Sequence, residues 1–250
     1  MTTARLMLHR GAQTATRDEV ARVATPDRTR SWVPIPHTTL LDGVQAALER
    51  AGLNVTHESH GLGRDGDRLF SLLRLADSTD HDGDFGLTVG VRNSHDRSYP
   101  AGLVIGATVF VCDNLSFSGE IKLARKHTVH IARDLPQLID AAVGRLGDLR
   151  RSQELRFAAY KQHELSDVAA HDLLVQVLDA RVLPVTKIPV ALQEWRTPRH
   201  PEFRESKSVW RFFNSITEAA KGGDIQNLPR RTQALHGLMD AACGLTTLAV

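Results

Sequence analysis

The chain has only two cysteines in 250 residues, Cys112 and Cys243, and neither lies in a Cys-x-x-Cys pair. That excludes a disulfide framework and a zinc ribbon as its organising device. Aromatic residues are scarce at 5%. An excess of one charge is missing as well: 31 Lys and Arg meet 29 Asp and Glu, leaving a formal charge of +2. Attraction for nucleic acid therefore has to come from a local patch rather than the overall field. The longest apolar run, Leu103 to Cys112, is interrupted by Gly106 and Thr108 and is far short of a membrane span. The first thirty residues hold six arginines but no apolar run of the kind a secretory signal needs. Repeats and low-complexity tracts are absent. These absences point to the cytoplasm, without a membrane partner. Apolar residues at 42% and charged residues at 24% are the composition of a folded globular protein.

Residues 1–30 mix Thr, Ala and Arg without a sustained period and read as a mobile or loosely docked arm. Order is expected from Trp32-Val33-Pro34-Ile35-Pro36-His37, where two prolines force an extended path. Leu40, Leu41, Val44, Ala47 and Leu48 give a helix stopped at Gly52. Strands follow at Leu53 to His57, Leu69 to Leu75, Phe85 to Arg92 and Leu103 to Cys112, with a fifth at Phe117 to Leu123. Their connections are too short for parallel crossovers, so the sheet is expected to be antiparallel. From Leu135 the apolar spacing becomes helical, and one helix is expected to run on to about Tyr160. Further helices are expected from Ser166, around Val190 to Trp195 among four prolines, over Val209 to Ala220, and from Pro229. Strands first and helices afterwards make an α+β fold: a 31–163 core with an antiparallel sheet and a long helix, then a helical 164–250 lobe.

Three strings between Val89 and Arg133 carry the polar information. Arg92-Asn93-Ser94-His95-Asp96-Arg97-Ser98 joins two strands, a position at which a rigid base presents hydrogen-bonding and cationic groups; the same residue types also shape turns. In Phe110-Val111-Cys112-Asp113-Asn114 an apolar strand turns polar. Cys112 there is either core filling or a nucleophile with His95 as its base. From Ile121 to Arg133 the cations Lys122, Arg125, Lys126 and Arg133 occur with His127 and His130 and no acid. That is the densest electrostatic footprint in the chain, and its plain alternative is a solvated face. His127-x-x-His130 has helical spacing for two metal ligands but no accompanying Cys or carboxylate. His57-x-x-His60 and the acidic loop Asp80, Asp82, Asp84 are weaker, since the loop lacks the Gly and distal Glu of a calcium site. Gly61-Leu62-Gly63 lacks the context of a phosphate loop. Trp195 to His200 combines an aromatic with cations, and Arg230-Arg231 opens a helix. No metal or cofactor is expected.

Val89 to Ser98, then Val109 to Leu115, then Arg125-Lys126-His127-Thr128, occur in an order that resembles the phage- and plasmid-associated family known as domain of unknown function 932. Ser31 to His37 and Leu228 to Leu235 resemble it too, so the likeness covers nearly everything after about residue 25. The resemblance carries no established activity; occurrence of its members in phages, prophages and plasmids implies work on DNA. The order of helix, antiparallel strands and long helix is also similar in outline to single-strand annealing proteins. The first expectation is a non-enzymatic, single-stranded-nucleic-acid-binding or annealing protein, acting as a homo-oligomer. Arg92, Arg97, Lys122, Arg125, Lys126 and Arg133 would track phosphates, while Asn93, His95 and Asn114 make hydrogen bonds. A second is a hydrolase or metal-assisted phosphoryl-transfer enzyme built on His95, Asp96, Cys112 and His127. A third is a structural or interaction module whose motif only locks a hairpin.

Overall fold

The computed structural model of the chain describes residues 12–76, 85–109, 114–116, 122–222 and 227–245. Strand β1 (Gln13–Ala15) pairs antiparallel with β2 (Val55–Gly63), and α1 (Arg17–Ala21) follows it. The Thr16 hydroxyl accepts from the Glu19 N–H while the Glu19 carboxylate accepts from the Thr16 N–H, closing a capping box. Val20 enters the main core, and Arg17 bridges Asp42 and Glu58. The described part of the expected loose arm is therefore docked. One buried side chain, one cap and one bridging arginine hold it, which is too short a pattern to register as a period. Residues 1–11 lie outside the described residues.

Helix α2 (His37–Arg50) starts directly after Pro36 and buries Leu40, Leu41, Val44, Ala47 and Leu48, as their spacing requires. The remaining strands are β3 (Arg68–Leu75), β4 (Phe85–Ser94), β5 (Ala101–Val109), β6 (Asn114–Ser116) and β7 (Lys122–Arg125). All pairings are antiparallel in the order β1-β2-β3-β4-β5, with β6 and β7 both pairing with β5. β2 extends beyond the expected His57 to Gly63, and the fifth expected strand appears at its end, as β7. Cys112 and the acidic loop at 80–84 lie outside the described residues. In the β2–β3 turn Gly66 has φ 96°, and a Cβ there would meet Val23 Cγ2 at 3.1 Å. The turn thus needs glycine both for its backbone and for contact with the arm.

The expected long helix is two, α3 (Ile131–Gly144) and α4 (Leu146–Gln162). Gly144 and Gly147 flank the joint and weaken helix there. Then come α5 (Asp167–Asp179), capped by Ser166, α6 (Ile188–Arg196), α7 (Val209–Ala220), capped by Ser208, and α8 (Leu228–Ala242) with Pro229 in its first turn. The architecture is α+β with a helical C-terminal part. A continuous buried cluster runs from Leu40 and Leu48 of α2 through Leu73, Val89 and Ile105 of the sheet to Trp195, Phe212 and Phe213. The core therefore crosses the expected boundary at 163 without a break. Among the described residues no helix is long and apolar enough to cross a membrane.

Period-two alternation gives the sheet two unlike faces. Leu69, Leu73, Leu87, Val89, Val91, Leu103 and Ile105 face the helices. By register the other face carries Arg68, Phe70, Leu72 and Arg74 of β3 and Gly86, Thr88, Gly90 and Arg92 of β4, with Gly102, Val104 and Gly106 on β5. Replacing Val20 by Asp removes the apolar anchor of the arm, worth about 2 kcal/mol. Hydrogen exchange should then speed up at β1 and α1 amides while those of β3, β4 and β5 stay protected.

Candidate functional site

The extended segment before α2 leaves the Ile35 carbonyl facing the end of β4. There the Asn93 Nδ2 donates to it at 3.0 Å, and the His95 Nε2–H donates to it at 2.9 Å. Asn93 Nδ2 also lies 3.0 Å from His37 Nδ1, and His37 Nε2 lies 2.8 Å from the Gly66 carbonyl. A ring nitrogen facing a carbonyl carries the proton, so His37 is protonated at Nε2 and accepts from Asn93 at Nδ1. Asn93 Oδ1 accepts from His127 Nε2 at 2.7 Å. The rings of His37 and His95 stack at 4.0 Å, 3° from parallel. Asn93 is 0% exposed and the three histidines are buried. The His95 N–H donates to the Asp67 carbonyl and the Val33 N–H to the His127 carbonyl. Four segments far apart in sequence are thereby fastened to one carboxamide.

Burial holds the His37 imidazole down to about 4, against the push of its bond to Gly66, with His95 and His127 adding to the depression. Burial first, then His95, also lowers His127. Burial thus favours the neutral form of the His37 and His127 rings. Both ring nitrogens of His37, Nε2 of His95 and Nε2 of His127 are engaged by the protein, whereas His95 Nδ1 is buried without a partner among the described residues. Among the described residues no group of His, Cys, Asp or Glu is arranged to hold a metal ion. His57 and His60 fall on opposite faces of β2, opposite Arg74 and Ser71 respectively.

The loop after β4 is satisfied within itself. Asp96 accepts from Arg68 and from the Ser98 N–H, and burial notwithstanding, the bonds from Ser98 and Arg68 hold its carboxyl below the usual range. Ser94 Oγ donates to the Tyr99 carbonyl. Arg97 takes a left-handed backbone, φ 62°, and lays its guanidinium 4.5 Å over the Trp32 ring. Of the expected hydrolase set, His95 and His127 share the buried cluster, Asp96 is turned to Arg68, and Cys112 is outside the described residues.

The expected phosphate-tracking group is divided by the fold. Arg125 pairs with Asp134 and bonds Thr128, while Arg133 pairs with the other oxygen of the same carboxylate. Asp134 stands one position beyond the acid-free stretch, so that run is less cationic in space than in sequence. Lys126 is exposed. Asn114 lies opposite Val109, seven residues along β5 from the partner of Arg92, about 23 Å away and on the helix side of the sheet. Asn93 and His95 are buried, the Asn93 amide is fully engaged and His95 Nε2 is bonded to Ile35, so neither is presented on the surface.

Arg92 falls elsewhere, with Arg68 and Arg74 on the sheet face opposite the main core, where the first turn of α8 also packs; by register Lys122 is opposite Val104 of that face. Sequence reasoning passed over Arg68, Phe70, Arg74 and His37. The signal for the first three was the alternation of β3 read together with the glycines of β4 and β5. Across the described strand residues of this face no carboxylate occurs. Arg68 is engaged by Asp96, whereas Arg92 has no carboxylate partner among the described residues and lies over the Tyr99 ring at 5.4 Å. Gly102 makes room for it, since a Cβ there would meet Arg92 Nε at 3.2 Å. Leu228, in the first turn of α8, packs with Leu72, Phe70 and Val104.

A family model described as Domain of unknown function (DUF932) matches residues 27–239. No curated protein and no solved structure matches the chain.

Asn93→Ala strands the His127 donor and the His37 acceptor in the core. It should cost about 3 kcal/mol, read as a lower melting temperature with an unchanged far-ultraviolet spectrum. In the unfolded chain His37 and His127 bind protons below their usual value near 6.5, whereas in the fold His37 stays neutral down to about 4. Stability should therefore fall as pH drops through that window, by up to about 1.4 kcal/mol per pH unit for each such histidine. Urea midpoints at several pH values check this, and a flat profile would contradict it.

Proposed function

The chain belongs to the family of domain of unknown function 932, and from its geometry we propose that it is a non-enzymatic nucleic-acid-binding protein. The observation that carries this reading is Arg92, which has no carboxylate partner among the described residues and stands on a sheet face whose described strand residues include Arg68 and Arg74 and no acid. Cations gathered on one face attract a polyanion. Lys126, and Arg97 on Trp32, extend the cationic set beside it. The phage and plasmid setting implied by the resemblance, a cytoplasmic location, and annealing of single strands by a homo-oligomer are the finer form of the same reading.

The satisfied loop favours a second reading, a structural or interaction module that binds no nucleic acid, in which the basic face is simply solvated. One titration separates the two. A single-stranded oligonucleotide should bind at about 50 mM salt and lose affinity steeply by about 200 mM, with a logarithmic slope near −0.7 per phosphate neutralised. Arg92→Glu with Lys122→Glu should weaken binding at least tenfold and flatten that slope by roughly 1.4. Absence of binding at the lower salt would remove the nucleic-acid reading and leave the module.

A further inference from the structure

On the sheet face just described, one row across the strands reads Gly61, Phe70, Arg92, Gly102, Ala124. Only two large side chains rise from it, and they are neighbours across β3 and β4. Arg92 lies over Gly102 and the Tyr99 ring. Phe70 is half-buried, packed against the Leu72–Leu228 contact, and has no ring partner among the described residues. Its other neighbour in the row is a glycine, so no Cβ stands beside it on β2. A half-buried ring next to a guanidinium suits a flat and partly apolar group attached to an anion.

We infer that Phe70 is a stacking position for an unpaired nucleobase, with Arg92 holding the adjoining phosphate, so that the ligand is single-stranded and lies with its bases toward the sheet. This rests on the nucleic-acid reading above and narrows it. The bases of a duplex are already stacked on each other and paired at their edges, and a ring on a sheet cannot reach their faces. An unpaired base has a free face, and stacking on an aromatic side chain tolerates any sequence. A phosphate contact by itself does not sense whether the attached base is paired. Preference for single strands therefore resides in Phe70, and affinity common to all polyanions resides in the arginines and Lys122.

The experiment compares two probes of about ten nucleotides, an oligothymidylate and an abasic strand of equal length that keeps the phosphates and lacks the bases. The full chain should bind oligothymidylate about tenfold more tightly than the abasic strand. Phe70→Leu keeps the packing on Leu72 and Leu228 and should erase that preference while leaving abasic binding unchanged; Phe70→Tyr should restore it. Arg92→Glu should weaken both probes together. Equal binding of the two probes by the unaltered chain, or a preference that survives Phe70→Leu, would overturn the stacking position while leaving the nucleic-acid reading intact. No binding of either probe at low salt overturns the reading beneath it.

Discussion

A fully buried carboxamide has to find partners for both of its ends, and that requirement at Asn93 organises the molecule around it. Its Nδ2 serves Ile35 and His37, and its Oδ1 serves His127. Each bond fixes something further. Accepting from Asn93 makes Nδ1 of His37 the unprotonated nitrogen, so Nε2–H is free to hold the β2–β3 turn at Gly66. Donating to Asn93 fixes the tautomer of His127, which in turn sits where the chain leaves β7 for α3. With desolvation disfavouring charge on His37 and His127, these two rings and the Asn93 carboxamide act as a hydrogen-bonded rivet. Half-satisfied, such a network is worse than an apolar core, which is why all its members must be in place together.

The rivet sits on the helix side of the sheet, and this decides what the opposite face is free to do. The polar residues of the loop after β4 are committed to the fold: Asp96 to Arg68 and Ser98, Ser94 to Tyr99, Arg97 to Trp32. Arg125 and Arg133 are drawn to a shared carboxylate at the start of α3. What remains uncommitted is Arg92, lying over Gly102 and Tyr99 on the far face, with Phe70 beside it. Structure and function are thus separated by the pleat. Residues one position apart in β4, Asn93 and Arg92, face the core lock and the proposed ligand respectively.

Much of the fold was legible because it rests on periodicity. The apolar spacing of α2, the switch from period two to helical spacing after β7, and the caps at Ser166 and Ser208 are local signals with local causes. The docked arm was not legible, since a three-residue strand and a five-residue helix offer too few positions for a period. The break at Arg145 was hidden because Leu135 to Leu149 keeps its apolar stripe across it. At the site, the motif around Asn93 was conspicuous, but its two expected uses, ligand binding and locking of the backbone, call for the same residue types. Asn, His and Ser in that loop looked like ligand groups, and the same hydrogen-bonding capacity is used inward.

The sequence by itself determined that the chain would fold as an antiparallel sheet with helices. It also marked Val89 to Arg133 as a stretch dense in polar and cationic residues, because composition and spacing are properties of neighbouring residues. Only the tertiary structure decided which of those residues are spent on the fold. Asp134 cancels part of a basic stretch that ends one residue before it, and His37 joins His95 and His127 across more than fifty positions. Arg68, Arg74 and Arg92 come to one face of the sheet through strand register alone. Pairing, burial and facing depend on which segments meet, and no local pattern carries that information.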